Sequence, residues 1–349
     1  MARKRICVLS AQVPFMKGGA ELMVDALTKQ LRIRGYDAEL IQLPFKWYPC
    51  NDLLDSTMIW KLLDLSEANG EKIDLVIATK FPTYLIEHKN KVLWLMHQHR
   101  VAYDLYDNKQ YAGLRYMENG EHTKHILEDI DTKSINSFNS RYTISKNVAD
   151  RLKKYNGIDS TPLYHPPALV GRYYCNQYED YIISVGRLDA IKRNDMLIRS
   201  LPLLDKNIKV YIAGKGTELE KLQQLASELK VEDRVNFLGF VNDEDLLKLY
   251  ANAFAVYFAP IDEDYGYITL EAFLSKKPVI TCNDSGGVLE FVRNEENGYI
   301  CETNIESIAE NINQLYYKKE LCKEFGNSGY EKVKAYSWDT VIEQLTKTL

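Results

Sequence analysis

Glu263 and Glu271 stand eight positions apart in VYFAPIDEDYGYITLEAFLS, residues 256–275. The run Val256 to Ala259 is apolar and reads as a buried parallel strand, which Pro260 ends. From Ile268 the apolar positions Ile268, Leu270, Phe273 and Leu274 follow a helical period. Strand, acidic loop and helix N-terminus in that order aim backbone N–H groups and a partial positive charge at whatever lies above the strand, and a phosphate suits that place. A carboxylate accepts two hydrogen bonds side by side, which suits the adjacent hydroxyls of a sugar or a ribose. Glu263 in the loop and Glu271 in the first turns of the helix are therefore candidate diol acceptors astride a phosphate nest. Acidic residues on a solvated helix face give the same spacing without any function.

A second charged set lies upstream. The run Tyr181 to Val185 leads into Gly186-Arg187-Leu188-Asp189-Ala190-Ile191-Lys192-Arg193 and then a helix through Leu201. Arg187 and Lys192 sit at the mouth of that strand, where two cations would neutralise a diphosphate, the arginine bidentately and the lysine as a point charge. Lys91 to Met96 reads as another buried strand and runs into His97-Gln98-His99. Side chains at the carboxyl end of parallel strands line the crevice of an open α/β sheet. His97 is thus placed to donate to a sugar hydroxyl, unless it only caps the strand. Gly18-Gly19 opens a helical pattern carried by Leu22, Val24, Leu27 and Leu31. It either lets the backbone approach a phosphate closely or makes a plain tight turn.

Glu263 to Glu271 resembles the E-x7-E signature of the retaining glycosyltransferases of the GT4 family, including the glycine three residues after the first glutamate. Gly186 to Lys192 resembles that family's G-R-L-x-x-x-K donor-diphosphate stretch, and Gly18-Gly19-Ala20-Glu21 its N-terminal loop, which faces the donor diphosphate or the acceptor. Ser285-Gly286-Gly287 completes four motifs in the family's order. The resemblance covers nearly the whole chain and is strongest over residues 181–300. It implies an α/β chain of GT-B architecture: two facing doubly wound Rossmann-like domains with the site in an interdomain cleft.

The activity implied is retaining transfer of a sugar from a nucleoside diphosphate sugar to an acceptor hydroxyl, in bacterial polysaccharide or glycan synthesis. Arg187, Lys192 and the helix start at Gly266-Tyr267-Ile268-Thr269 would stabilise the departing diphosphate. Glu263 would orient the sugar, Glu271 hold the ribose and His97 contact the sugar from the other domain. The backbone beside Phe240 and Val241 would hold the base, although Phe240 reads equally well as a core residue. Similar enzymes are thought to react on one face, with the departing phosphate oxygen taking the acceptor proton, so no protein base is expected. Nor is a metal or a cofactor expected. A UDP-sugar is the first expectation for the donor and a GDP-sugar the second, with a glycan or lipid-linked glycan as acceptor. Two other classes stay open: a nucleotide-sugar epimerase or hydrolase, which would act without an acceptor, and a non-catalytic nucleotide-sugar-binding subunit.

The elements that must position these residues read as two α/β halves. Residues 5–10 and Ala38 to Leu43 are strands around the first helix. The turn between them is not G-x-G-x-x-G, and no acidic residue ends the second strand, which disfavours a dinucleotide-dependent dehydrogenase. Residues 47–72 read as helix with loops, Asp74 to Thr79 and Arg141 to Ser145 as strands, and Lys146 to Tyr155 as a helix. Residues 100–135 are rich in tyrosine (Tyr103, Tyr106, Tyr111, Tyr116), either packed in a helical layer or covering the acceptor. Pro166-Pro167 stiffens an aperiodic stretch that reads as the linker. After the strand at Tyr181 come strands at Val210, Val235, Val256, Val279 and Gly298, with a helix containing Glu290 between the last two. The expected division is an acceptor-side domain at 1–168, a nucleotide-sugar domain at 169–335, and a terminal helix at 336–349 crossing back to the first domain.

Length and composition set the bounds. A chain of 349 residues suits two cores rather than one. The longest apolar runs are strand-sized, so none spans a bilayer, and the basic start MARKRICVLS does not read as a signal peptide. Six scattered cysteines without C-x-x-C or histidine pairing fit reduced thiols in the cytoplasm. A net charge of −5 argues against broad nucleic-acid binding. The charge is uneven, +3 over residues 1–165 and −8 over the rest. The first half is thereby permitted peripheral contact with the inner face of an anionic membrane, though an ordinary solvated surface explains it as well.

Overall fold

The computed structural model describes residues 3–15, 18–108 and 113–349. Tyr111 lies outside the described residues. The chain divides into two compact units, one of residues 1–168 with 337–349 and one of residues 169–336.

The first unit is built on a parallel sheet of β1 (Arg5–Gln12), β2 (Asp37–Pro44), β3 (Leu75–Ala78), β4 (Lys91–Leu95), β5 (Ser140–Thr143) and β6 (Thr161–Pro162). Their order across the sheet is β2-β1-β3-β4-β5-β6. The second sheet holds β7 (Tyr181–Val185), β8 (Lys209–Ala213), β9 (Val235–Gly239), β10 (Ala255–Tyr257), β11 (Val279–Cys282) and β12 (Gly298–Cys301). It too is wholly parallel, in the order β9-β8-β7-β10-β11-β12. Strands covered by helices on both faces must be apolar throughout rather than alternating. That is why the central strands β3 and β10 are unbroken apolar runs, buried at every position, and β11 is buried throughout with Thr281 as its one polar residue. The doubly wound α/β reading therefore holds in both units, the GT-B plan.

Helix Gly19–Ile33 turns Met23, Val24, Leu27 and Leu31 inward. Helix Trp338–Leu345 is capped by the Ser337 hydroxyl, which accepts from the Thr340 N–H. It packs within the first unit: Trp338 meets Trp94 edge-on at 6.2 Å, and Arg34 Nε donates to Asp339 at 2.9 Å. Three local expectations need correction. The stretch 47–72 holds one helix, Cys50–Leu62, followed by a small antiparallel hairpin of Glu67–Ala68 and Glu71–Lys72. The strand at Val256 is shorter, ending at Tyr257, although Phe258 and Ala259 stay buried beyond it. Glu290 lies in a single 3-10 turn, Gly287–Glu290, because Gly286 enters it with φ 60° and the chain must reach back across residue 263.

Candidate active site

In the second sheet the order runs outward in both directions from β7 and β10. Loops leaving the carboxyl ends of those two neighbours diverge, which opens a crevice at that switch point. The β7 loop carries Arg187 and Lys192; the β10 loop carries Glu263.

Arg193 fastens the two loops. This buried side chain donates through Nε to the Ala259 carbonyl at 2.7 Å and through Nη2 to that of Pro260 at 2.9 Å. It also grips Asp284 bidentately at 2.6 and 2.9 Å. The Tyr257 hydroxyl donates back to the Arg193 carbonyl at 3.1 Å. Backbone pairing continues the clamp. Ile261 N–H donates to Ile191 O, Asp262 N–H to Asp284 O and Glu263 N–H to Ser285 O, at 2.9, 2.9 and 3.2 Å. Gly287 N–H closes it on the Glu263 carbonyl at 2.7 Å. A Cβ at Gly287 would stand 2.7 Å from the Asp264 carbonyl oxygen, so only glycine lets these strands of backbone pass.

The clamp brings Lys192 Nζ onto Glu263 Oε2 in an ion pair, with the ammonium also over the Phe258 ring at 5.4 Å. Arg187, half-exposed on the same loop, pairs with Asp189 at 3.2 Å. Helix Tyr267–Leu274 starts beside them: Gly266 precedes it at φ 87°, a conformation that favours glycine, and the Ile268 side chain lies 3.5 Å from where a Gly186 Cβ would be. Thr269 is buried, its hydroxyl without a partner, and its N–H donates to the Gly266 carbonyl at 3.0 Å. Tyr267 is partly buried and meets Tyr265 edge-on at 5.5 Å.

Glu271 has a different setting from Glu263. One of its oxygens accepts from the Tyr250 hydroxyl at 2.7 Å. The buried Tyr173 hydroxyl lies beside it without completing a hydrogen bond. Burial pushes the Glu271 carboxyl up to about 7, against the pull of those two hydroxyls. Phe240 is 77% exposed at the carboxyl end of β9, which removes the core reading, and Val241 beside it is partly buried. Arg193, Asp284, Tyr173 and Tyr250 were not singled out from sequence. Only Arg193 carried a signal, since it directly follows Lys192.

In the first unit the corresponding switch point lies between β1 and β3. Gly18 precedes helix Gly19–Ile33 in extended conformation, and its N–H donates to Glu21 Oε2 at 2.8 Å. Glu21 Oε1 takes the Lys80 ammonium at 2.7 Å, with the two side chains only 14% and 9% exposed. Burial raises the Glu21 pKa, but the Lys80 charge and these hydrogen bonds outweigh it and hold the carboxyl below its ordinary range. Lys80 had no motif to mark it. His97 follows β4, partly buried, with Nδ1 2.8 Å from the Gln98 carbonyl oxygen. His99 is pushed down to about 3 by burial and by His97. Of the tyrosines, Tyr103 is buried and donates to Asp131 at 2.7 Å, while Tyr116 is exposed. A cavity of about 840 Å³ opens at the other, amino end of this sheet between Lys4, Asp74, His88 and Leu349, and no predicted site residue lines it. Among the described residues no three His, Cys, Asp or Glu gather to hold a metal. No described helix is long and apolar enough to cross a membrane.

Residues 175–332 match the model of the family glycosyl transferases group 1. This part of the chain, just under half of it, is similar to that family. A relative described as an uncharacterized glycosyltransferase, from Methanocaldococcus jannaschii, is 34% identical over 173 residues, 48% of this chain and 43% of its own. The chain spans about half the length of the curated relatives it matches first. The fold around the matched residues is shared more widely. Sucrose-phosphate synthase from Thermosynechococcus elongatus superposes with a TM-score of 0.79 at 16% identity, over 99% of this chain and 98% of that one. HepE of Anabaena, solved with UDP and glucose, gives 0.72 at 17% identity over 99% of both.

Proposed function

We propose that the chain transfers a sugar from a nucleoside diphosphate sugar to an acceptor hydroxyl, with retention at the anomeric carbon. The observation that carries this reading is the Lys192–Glu263 pair at the switch point of the second sheet. An ammonium has three N–H donors. Glu263 occupies one, which leaves two for a departing phosphate oxygen. Glu263 is held on this ammonium with its charge close to the developing positive charge of the sugar, and a carboxylate is an acceptor for a sugar hydroxyl. Arg187 adds a fork-shaped donor on the same loop, and the helix start at Gly266 adds backbone N–H groups. With those cations neutralising the diphosphate, the reaction runs without a metal or a cofactor. The departing oxygen takes the acceptor proton.

Glu271 is assigned the ribose hydroxyls, Phe240 and Val241 the base, and His97 a hydrogen bond to a sugar hydroxyl. A UDP-sugar is the first candidate, supported by the neighbour described with UDP and glucose; a GDP-sugar is the second. The acceptor is a glycan or a lipid-linked glycan. A lipid-linked one would bring the slightly basic first unit to an anionic membrane surface.

The test is a melting and hydrolysis screen against UDP-, GDP-, ADP-, CMP- and dTDP-sugars, with and without EDTA. The expected result is a rise in melting temperature with one nucleoside diphosphate sugar, unaffected by EDTA. Product forming from the donor with no acceptor and no hydrolysis would identify an epimerase instead. Silence with every donor would remove the nucleotide-sugar reading.

A further inference from the structure

The sequence has six cysteines, and all six are free thiols in the fold. Five are buried; Cys175 alone is partly exposed. Its sulfur does not stand alone. Lys277 Nζ lies 3.3 Å from Cys175 Sγ, donates to the Gln177 carbonyl at 2.6 Å and sits 3.9 Å from the centroid of the Tyr178 ring. Lys277 is fully buried, and among the described residues no carboxylate pairs with it. An ammonium taken out of water without a counter-ion is unfavourable. Burial accordingly holds the Lys277 pKa below its ordinary value, which raises the share of neutral amine. None of these groups has a part in the proposed transfer reaction.

We propose that Cys175 and Lys277 form a peroxide-sensitive cross-link, a sulfenamide between Sγ and Nζ. The steps balance with a peroxide as the oxidant. The Cys175 thiol and hydrogen peroxide give the sulfenic acid and one water. The lone pair of neutral Lys277 Nζ then attacks Sγ, the S–O bond breaks, and hydroxide leaves with a proton from nitrogen as a second water. The sulfur has lost two electrons to the peroxide, and the nitrogen is not oxidised. Two equivalents of an added thiol restore thiol and amine and leave as a disulfide.

The link joins two pieces already in contact. Cys175 lies on the segment leading into β7, where Asn176 N–H donates to the Ala251 carbonyl and the Tyr178 hydroxyl to that of Lys276, at 2.9 and 3.1 Å. Lys277 follows helix Tyr267–Leu274, and its N–H returns to the Ala272 carbonyl at 2.9 Å. The bond would fix the carboxyl end of the helix whose amino end opens on the candidate site. Tyr173, two residues before Cys175, faces Glu271 on the same helix.

The experiment treats the full chain with a small molar excess of hydrogen peroxide near neutral pH, followed by proteolysis and mass spectrometry. The expected product is the Cys175 peptide joined to the Lys277 peptide, lighter than their sum by two hydrogen atoms and released by dithiothreitol. Cys175→Ser and Lys277→Met should each abolish it. Sulfinic acid, sulfonic acid or an intermolecular disulfide at Cys175 of the unaltered chain, with no joined peptide, would overturn the proposal. That arm needs no variant to fold, and its outcome is independent of the donor screen.

Discussion

Replacing Lys192 by alanine should lower kcat by about two orders of magnitude. Its side chain and that of Glu263 retain 17% and 24% of their exposure, so the pair sits between surface and interior. An effective dielectric of about 20 suits that setting, and a unit charge about 3 Å from the ammonium then interacts by about 5.5 kcal/mol. The leaving oxygen need gain only about half a charge between ground and transition state for Lys192 to contribute about 2.8 kcal/mol, or about 100-fold. Loss of a single oxyanion donor in other enzymes gives about 100- to 1000-fold. Because the increment exists only in the transition state, it falls on kcat rather than on the donor KM.

The assay is steady-state transfer with the donor that the screen identifies, alongside thermal melting to show that the fold persists. Lys192→Ala also leaves Glu263 without its cation, so a double-mutant cycle with Glu263→Gln is needed. If Lys192 only held Glu263 in place, the double variant would be no slower than Glu263→Gln alone. A kcat within about threefold of the unaltered enzyme, under about 0.7 kcal/mol, with an unchanged melting temperature, would refute transition-state charge at Lys192.

Two more predictions follow from the raised carboxyls. With Glu271 pushed up to about 7, donor binding through its charged form should strengthen as pH rises through that value. Tyr250→Phe removes a hydroxyl that favours the carboxylate, so the limb in a plot of 1/KM against pH should move to higher pH; an unmoved limb would detach Tyr250 from the site. Asp131, buried against Tyr103, is likewise raised from 3.8 to about 7. Between those values the folded chain holds a proton that the unfolded chain releases, so this contribution to stability is present at low pH and lost as pH rises through about 7. Urea unfolding should show Asp131→Asn narrowing the gap in stability between the acid and alkaline ends of that window, and an equal gap in both proteins would count against the assignment.

Much of the second unit was legible because its physics is local. An unbroken apolar run bounded by glycine or proline reads as a covered parallel strand, and β7 was legible to the residue. The loops after β7 and β10 carry their charges within a few positions of strand ends, so Lys192 and Glu263 could be named before their contact was known. Arg193, Asp284, Tyr250 and Tyr173 act across long separations, 91 residues for the first two, and no spacing along the chain marks such a partner. Glu271 was visible, but its raised pKa was not, since that depends on which hydroxyls the fold packs around it.

Both sheets place a lysine–glutamate pair at the switch point, and the difference between them bears on where a phosphate belongs. In the first unit Glu21 lies in the first turn of helix Gly19–Ile33 and turns back on the helix: one oxygen holds the Gly18 N–H, the other Lys80. A backbone donor of the kind a phosphate would use is thus already engaged, and the anion nest contains a carboxylate that would repel a second anion. In the second unit helix Tyr267–Leu274 has no acidic residue in its first turn. Its glutamate, Glu263, comes from the preceding loop and is held off by Lys192 and by the Gly287 clamp. The same two residue types therefore make a closed, self-satisfied turn in one unit and, in the other, a helix start that still suits a diphosphate. On this argument the phosphate reading favours Gly266 over Gly18-Gly19, and a neutral hydroxyl suits the Gly18-Gly19 turn better than a charged group does.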